Sequence, residues 1–170
     1  MPHTLAEING MDRAHFVSAL GHLFEHSPWV ADLTYERRPF LTAQSLHAEL
    51  CATLARASLA SQLELIRAHP DLAGRLAMAG KLTAASTAEQ ASAGLDRLAS
   101  EELALFQAKN EDYKARFGFP FVICARLNDK ATILRALNER IANSPDEERQ
   151  TALKEIEKIA WLRLSDLVRP

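Results

Sequence analysis

Three features of the sequence predict an all-α fold, a single compact multi-helix domain of about eight helices over residues 1–170. Alanine, leucine, glutamate and arginine are plentiful and favour helix, whereas β-branched residues form few alternating runs. Ser, Thr and Asp recur just ahead of stretches whose apolar residues lie three and four apart, the pattern of capped amphipathic helices. No internal repeat, low-complexity tract or Pro/Ser-rich linker divides the chain.

The elements follow in order. Asp12 caps a helix reaching about His26, with Phe16, Val17, Leu20, Leu23 and Phe24 on one face and His15, His22 and His26 on the other. Ser27-Pro28-Trp29-Val30 starts a short helical piece that Arg37, Arg38 and Pro39 end. Thr42 caps a helix carrying Leu46, Leu50 and Leu54 inward, and Ser58 caps the next, carrying Leu59, Leu63 and Ile66. That helix stops near Ala68, because His69 precedes Pro70 and is pushed toward extended backbone. Leu72 to Ala85, with Gly74 and Gly80 among small residues, reads as a loop with at most a turn of helix, able to close over a site.

Ser86-x-x-Glu89 has the spacing of a capping box and starts a short helix toward Leu98. A longer helix runs from Ser100 through Leu103, Phe106 and Tyr113 to Phe117, with Gly118 in the left-handed closing position. Phe119-Pro120-Phe121-Val122-Ile123 cannot begin as regular helix and is either an apolar core connector or a pocket wall. Asp129 caps a helix holding Ile133, Leu134, Leu137 and Ile141. Ser144-Pro145-Asp146-Glu147 opens the last helix, which runs to about Leu167.

Composition narrows the function classes. The chain has 170 residues, 48% hydrophobic and 25% charged, the balance of a soluble globular protein with one sizeable core. A net charge of -2 supplies no basic surplus for a phosphate backbone, so no nucleic-acid partner is expected. No apolar run approaches the roughly 20 residues needed to span a bilayer, and Met1-Pro2-His3-Thr4 lacks a signal-peptide pattern. A cytoplasmic protein with no membrane partner is the expectation. Leu167-Val168-Arg169-Pro170 is not a Ser-Lys-Leu address. Cys51 and Cys124 lie in apolar segments without metal or redox spacing and read as buried small hydrophobes.

Two residues ask for a chemical reason. His69 stands at a helix end, where it could face Glu89 at the start of the next helix, although a loop histidine and a plain cap are the blander alternatives. Arg163 projects into the apolar stripe of the last helix, formed by Ala152, Leu153, Ile156, Ile159, Ala160, Leu164 and Leu167. A buried guanidinium must be paired, either with a protein carboxylate or with an anionic or carbonyl-bearing ligand. The helical wheel leaves both open.

The ordered set of motifs resembles the 2-oxo-4-hydroxy-4-carboxy-5-ureidoimidazoline (OHCU) decarboxylase family of urate degradation. The matching stretches are Phe24-Glu25-His26-Ser27-Pro28-Trp29-Val30, Arg38-Pro39-Phe40, His69-Pro70-Asp71-Leu72, Ser86-x-x-Glu89-Gln90 with Ala93-Gly94-Leu95, Tyr113-x-x-Arg116-Phe117-Gly118-Phe119-Pro120-Phe121, and Ile159-Ala160-x-x-Arg163-Leu164. They cover nearly the whole chain. The resemblance implies an all-helical lyase that needs no cofactor or metal, is a homodimer, and releases CO2 from OHCU to give (S)-allantoin.

Carried over position by position, the family's site falls on His69 and Glu89 as catalytic residues. Pro70, Ser86, Gln90, Arg163 and the main chain around Phe121 and Ile123 complete it as substrate-binding residues. A histidine, whose ordinary pKa is about 6.5, suits hydrogen bonding to the ring hydroxyl and proton transfer. Glu89 would accept from that hydroxyl or hold His69 in one tautomer. Arg163 would grip a carbonyl or carboxylate oxygen, with Ser86, Gln90 and backbone groups reading the amides.

Two competing readings remain. A non-catalytic helical interaction module would pair Arg163 with a protein carboxylate and bind no small ligand. A metal-dependent hydrolase would need a set such as His22, Glu25 and His26, which the wheel places off the apolar stripe. Trp161, also off the stripe, marks either an interface or a contact with a neighbouring helix.

Overall fold

The computed structural model describes residues 2–74, 77 and 79–169, whose regular elements are α-helices with two short 3-10 turns, as the all-α reading expects. The helices are α1 (Leu5–Gly10), α2 (Arg13–Leu20), α3 (Trp29–Thr34), α4 (Ala43–Arg56), α5 (Leu59–Arg67), α6 (Ala84–Ser92), α7 (Ser100–Phe117), α8 (Lys130–Arg140) and α9 (Pro145–Leu167). The residues form two compact units, 1–68 with 157–170, and 69–156. Among the described residues no helix is long and apolar enough to cross a membrane.

In the first unit, α1 is an element the sequence reading passed over. Thr4 and Glu7 form its capping box, the Thr4 hydroxyl accepting from the Glu7 N–H and the Glu7 carboxylate from the Thr4 N–H. Asp12 caps α2 as expected, but α2 ends at Leu20, six residues short of His26. Its C-cap is Gly21, where an added Cβ would lie 3.0 Å from the Pro28 Cβ, and the chain turns back through residues 21–28 with His26 in the left-handed region. Leu23 and Phe24 still reach the core, and His15, His22 and His26 still face solvent. The turn changes the fate of Glu25, which is buried rather than placed beside an outward polar face.

Helix α4 behaves as its pattern dictates, with Thr42 and Ser45 capping it and Leu46, Leu50 and Leu54 fully buried. Helix α5 is capped by Ser58 but rotated from the expected face: Leu59 is exposed, while Gln62, Leu65 and Ile66 are buried. Gln62 donates to the Leu54 carbonyl at the end of α4, and this satisfied amide takes the position the apolar count assigned to Leu63. The unit closes where the His3 N–H donates to the Leu167 carbonyl and the Arg169 N–H to the His3 carbonyl.

In the second unit, α7 ends at Gly118 with φ +74, the left-handed closure expected there. Asp129 caps α8, and the Ser144–Glu147 box caps α9. Between Gly118 and the 3-10 turn at Ala125–Leu127 the chain is not helical. Phe119, Phe121, Val122 and Ile123 of that segment are all buried. Tyr113 packs edge-on against Phe119 and Phe121, with centroids 6.0 and 5.3 Å away. The loop expected over Leu72–Ala85 includes Arg75, Leu76 and Met78, which lie outside the described residues.

Candidate active site

Helix α5 ends at Arg67 and places His69 at the start of the second unit, nine-tenths buried, with Pro70 half-buried after it. Three polar side chains fix the turn that follows. Gln90 accepts from the Ala73 N–H (2.9 Å) and donates to the Asp71 carbonyl (3.3 Å). Asn110 donates to the Leu72 carbonyl at 2.8 Å, and the Lys114 ammonium bonds the Asp71 carboxylate at 2.7 Å. The hydrogen bond to Asp71 raises the Lys114 pKa. Within this turn Ala73 holds φ +52, a conformation costing an ordinary residue roughly 1–2 kcal/mol. The surrounding hydrogen bonds offset that cost and leave the stretch after His69 little freedom.

Ser86 does not cap its helix. Thr83 does, its hydroxyl accepting from the Ser86 N–H, so Ser86 is the third residue inside α6. The helix also ends earlier than expected, at Ser92. With Ser86, Glu89 and Gln90 at i, i+3 and i+4, all three share one face. Ser86 and Gln90 are buried and Glu89 is half-buried. Gln90 therefore does structural work that spacing alone did not reveal: it ties this face of α6 to the turn behind His69.

The Phe119–Cys124 segment brings Phe121 and Ile123 into the same unit. The Val122 carbonyl accepts from Arg140 Nη1 at 2.8 Å, and the Cys124 N–H donates to the Glu155 carboxylate at 2.9 Å. By contrast, no hydrogen bond from a described residue reaches the main-chain N–H or C=O of Phe121 or Ile123, although both residues are more than nine-tenths buried. Their main-chain groups are thus not committed to any described residue.

Arg163 belongs to the first unit and is buried, as its place in the α9 stripe requires. Arg163 Nη2 lies 2.9 Å from the Glu25 carboxylate, their side chains being 6% and 2% exposed, and Nη1 donates to the His22 carbonyl at 3.2 Å. The protein carboxylate considered for Arg163 is thus present and is Glu25. The sequence held a signal for it, since a buried arginine calls for an acid, but reading α2 through to His26 turned Glu25 away from the core. Trp161 packs against the His47 ring of α4 with centroids 5.3 Å apart, the neighbouring-helix alternative weighed for it. Cys124 is buried as expected, whereas Cys51 is half-buried beside His47. Among the described residues no group of three His, Cys, Asp or Glu could hold a metal ion.

Taken together these features define an all-helical protein whose candidate site residues sit at a helix end, inside a helix start and along one non-helical apolar segment. The chain belongs to the OHCU decarboxylase family, whose family model matches residues 9–165. It is 42% identical over 165 residues to the 2-oxo-4-hydroxy-4-carboxy-5-ureidoimidazoline decarboxylase of Amia calva, covering 97% of this chain and 94% of that protein. The enzyme of the same name from Halalkalicoccus jeotgali is 43% identical over 98% of this chain and 93% of its own. Among solved structures, a crystal structure of (S)-allantoin synthase superposes with a TM-score of 0.80 at 30% identity, covering 99% of this chain and 54% of that one. An OHCU decarboxylase crystallised in the presence of (S)-allantoin gives 0.69 at 25% identity over 92% and 98% of the two chains.

Proposed function

We infer that this chain decarboxylates OHCU to (S)-allantoin in urate degradation. The near full-length match to decarboxylases of that name carries the reading. The buried, hydrogen-bonded setting of the His69 turn supports it. The substrate's own chemistry supplies an electron sink. OHCU bears a hydroxyl and a carboxylate on one ring carbon beside an electron-poor C=N unit. The electron pair of the carboxylate bond passes into that unit as CO2 departs. The nitrogen of that unit takes up a proton from solvent, the hydroxyl oxygen then loses its proton as a carbonyl forms, and a proton is added to the neighbouring ring carbon. The protein's tasks are to hold the ring, move protons and choose the face that is protonated.

In this reading His69 takes and returns a proton at the ring hydroxyl. Glu89 accepts from that hydroxyl or orients His69, and its negative charge disfavours the substrate carboxylate relative to departing CO2. Ser86, Pro70 and Gln90 contact the substrate, Gln90 through the capacity its two main-chain bonds leave to an amide with four sites. The main-chain groups of Phe121 and Ile123 bond the ring or ureido amides, and Arg163 grips a substrate oxygen with its planar fork. We further propose a cytoplasmic homodimer, with sedimentation velocity as its check.

One observation speaks for the interaction-module reading, namely that Arg163 has a protein carboxylate. A guanidinium offers five donors on a rigid plane, however, and a carboxylate on one edge orients the plane as readily as it neutralises it. The two readings separate in one experiment, in which OHCU is generated from urate by the two preceding enzymes and followed by circular dichroism. A decarboxylase accelerates loss of the OHCU signal and builds a single allantoin enantiomer. Decay at the spontaneous rate to racemic product sinks the decarboxylase reading.

A further inference from the structure

We propose that Arg140, locked by Glu148, is a positioning residue that presents the main-chain groups of Phe121 and Ile123 to the substrate, an inference that rests on the decarboxylase reading for the identity of that substrate. Glu148 is completely buried at the start of α9, and the Arg140 side chain is 11% exposed at the end of α8. Glu148 accepts from the Arg140 Nε at 2.7 Å, from the Tyr113 hydroxyl, and from the Asn143 amide at 2.9 Å. Burial, and then the hydrogen bond to Glu148, push the Tyr113 pKa up, so the phenol stays protonated and keeps donating. Every donor in this cluster fixes the acid, and the acid fixes the guanidinium.

The guanidinium then acts on the segment in two ways. Its Nη1 donates to the Val122 carbonyl at 2.8 Å, and its plane lies over the Phe121 ring, 4.3 Å from the centroid. In non-helical backbone of extended type, successive residues turn their N–H and C=O groups to opposite sides. Arg140 takes the Val122 carbonyl and Glu155 takes the Cys124 N–H, which ties the segment to the protein at two main-chain groups that flank Ile123. Cys124 itself has extended backbone, at φ -70 and ψ 92. No described residue makes a hydrogen bond to the main-chain groups of Phe121 or Ile123, which lie on either side of the held Val122 carbonyl. Neither arginine nor glutamate needs to touch substrate for this to matter, because a main-chain donor displaced by about 1 Å loses most of its directional value.

The test compares Arg140→Lys with Ile133→Ala. Lysine keeps a charge against Glu148 but lacks the fork that reaches Val122 at the same time. Ile133 is a fully buried core residue of the same helix that takes no part in the polar cluster. With the full chain and no substrate present, Arg140→Lys is expected to speed hydrogen exchange of the Phe121–Cys124 amides by about tenfold or more, while Ile133→Ala leaves that segment within about twofold of wild type. In turnover of OHCU, Arg140→Lys raises KM by about tenfold with a smaller change in kcat, and Ile133→Ala changes neither by more than about twofold at an equal or larger loss of Tm. If Arg140→Lys fails to fold, the double variant Arg140→Met, Glu148→Leu removes the pair as a unit and carries the same expectations. Unchanged segment exchange, or equal effects of the lysine and alanine variants, overturns the proposal. A wild-type chain that leaves OHCU untouched sinks only the decarboxylase reading, since exchange is read without substrate.

Discussion

Arg163 in the first unit is buried and Arg140 in the second is 11% exposed, yet both pair with a buried glutamate and both donate to a main-chain carbonyl of a non-helical stretch. They are built around different centres. In the second unit the acid is the hub: Glu148 of α9 gathers Tyr113 of α7, Arg140 of α8 and Asn143 of the turn after α8. In the first unit the arginine reaches two groups, Glu25 and the His22 carbonyl, that come from the single turn at residues 21–28. An acid that collects donors from three elements ties a fold together. An arginine gripped at two points by one short turn has its orientation constrained by that turn.

That contrast gives different consequences for removing each acid. Glu148→Ala leaves a largely desolvated guanidinium and a buried phenol without their acceptor and should cost about 3–5 kcal/mol, read from urea unfolding. Glu25→Gln keeps the shape and a hydrogen-bond acceptor beside Arg163, so its stability loss should be about 1–3 kcal/mol. Its larger signature should be functional, a fall in kcat/KM for OHCU of about tenfold or more from a guanidinium no longer held in place. An unfolding loss as large as that of Glu148→Ala with normal turnover would make the Glu25 pair structural and erase the contrast.

Smaller effects sharpen the picture of the same turn. His22 is exposed, yet partial desolvation and then the nearby Arg163 charge lower its pKa below the ordinary 6.5. The unfolded chain therefore takes up the proton first as pH falls. The His22 contribution is fully present above about pH 6.5, is lost as pH drops through that value, and levels off below the folded-state pKa. Thermal melts from pH 7.5 to 5 should show the loss, and His22→Asn should flatten part of that slope. Smallest of all, burial and the Glu157 charge push the Cys51 thiol up to about 12, so iodoacetamide should label it far more slowly at pH 8 than it labels a free thiol.

Much of this architecture was legible because helix starts are chemically explicit. Asp12, Thr42, Ser58, Asp129 and Ser144 each cap the helix expected of them, Pro70 follows the end of α5, and the segment carrying Pro120 stays non-helical. Arg163 was conspicuous for a different reason: a charge on an apolar stripe has to be explained. What escaped was decided by tertiary packing. Leu23 and Phe24 continue a helical period and look like one more turn of α2, but the chain reverses at Gly21, and only that reversal buries Glu25. Gln62 displaces a leucine from the inward face because it satisfies the end of α4, a bond between two helices that no local pattern encodes. Thr83 and Ser86 are both competent caps, and their order along the chain was settled by where α6 begins. Gln90, Asn110 and Lys114 converge on three consecutive residues after Pro70 from positions up to forty-three apart in sequence, a distance at which spacing carries no information.

His69 is the residue proposed to move the proton, and the most direct test is OHCU turnover by His69→Ala beside wild type, followed by circular dichroism with thermal melts of both. Loss of about 100-fold or more in rate, with the melting temperature held and the product no longer a single enantiomer, is the expected result. Turnover close to wild type in the folded variant would take His69 out of the mechanism and move the search for the proton carrier to Glu89.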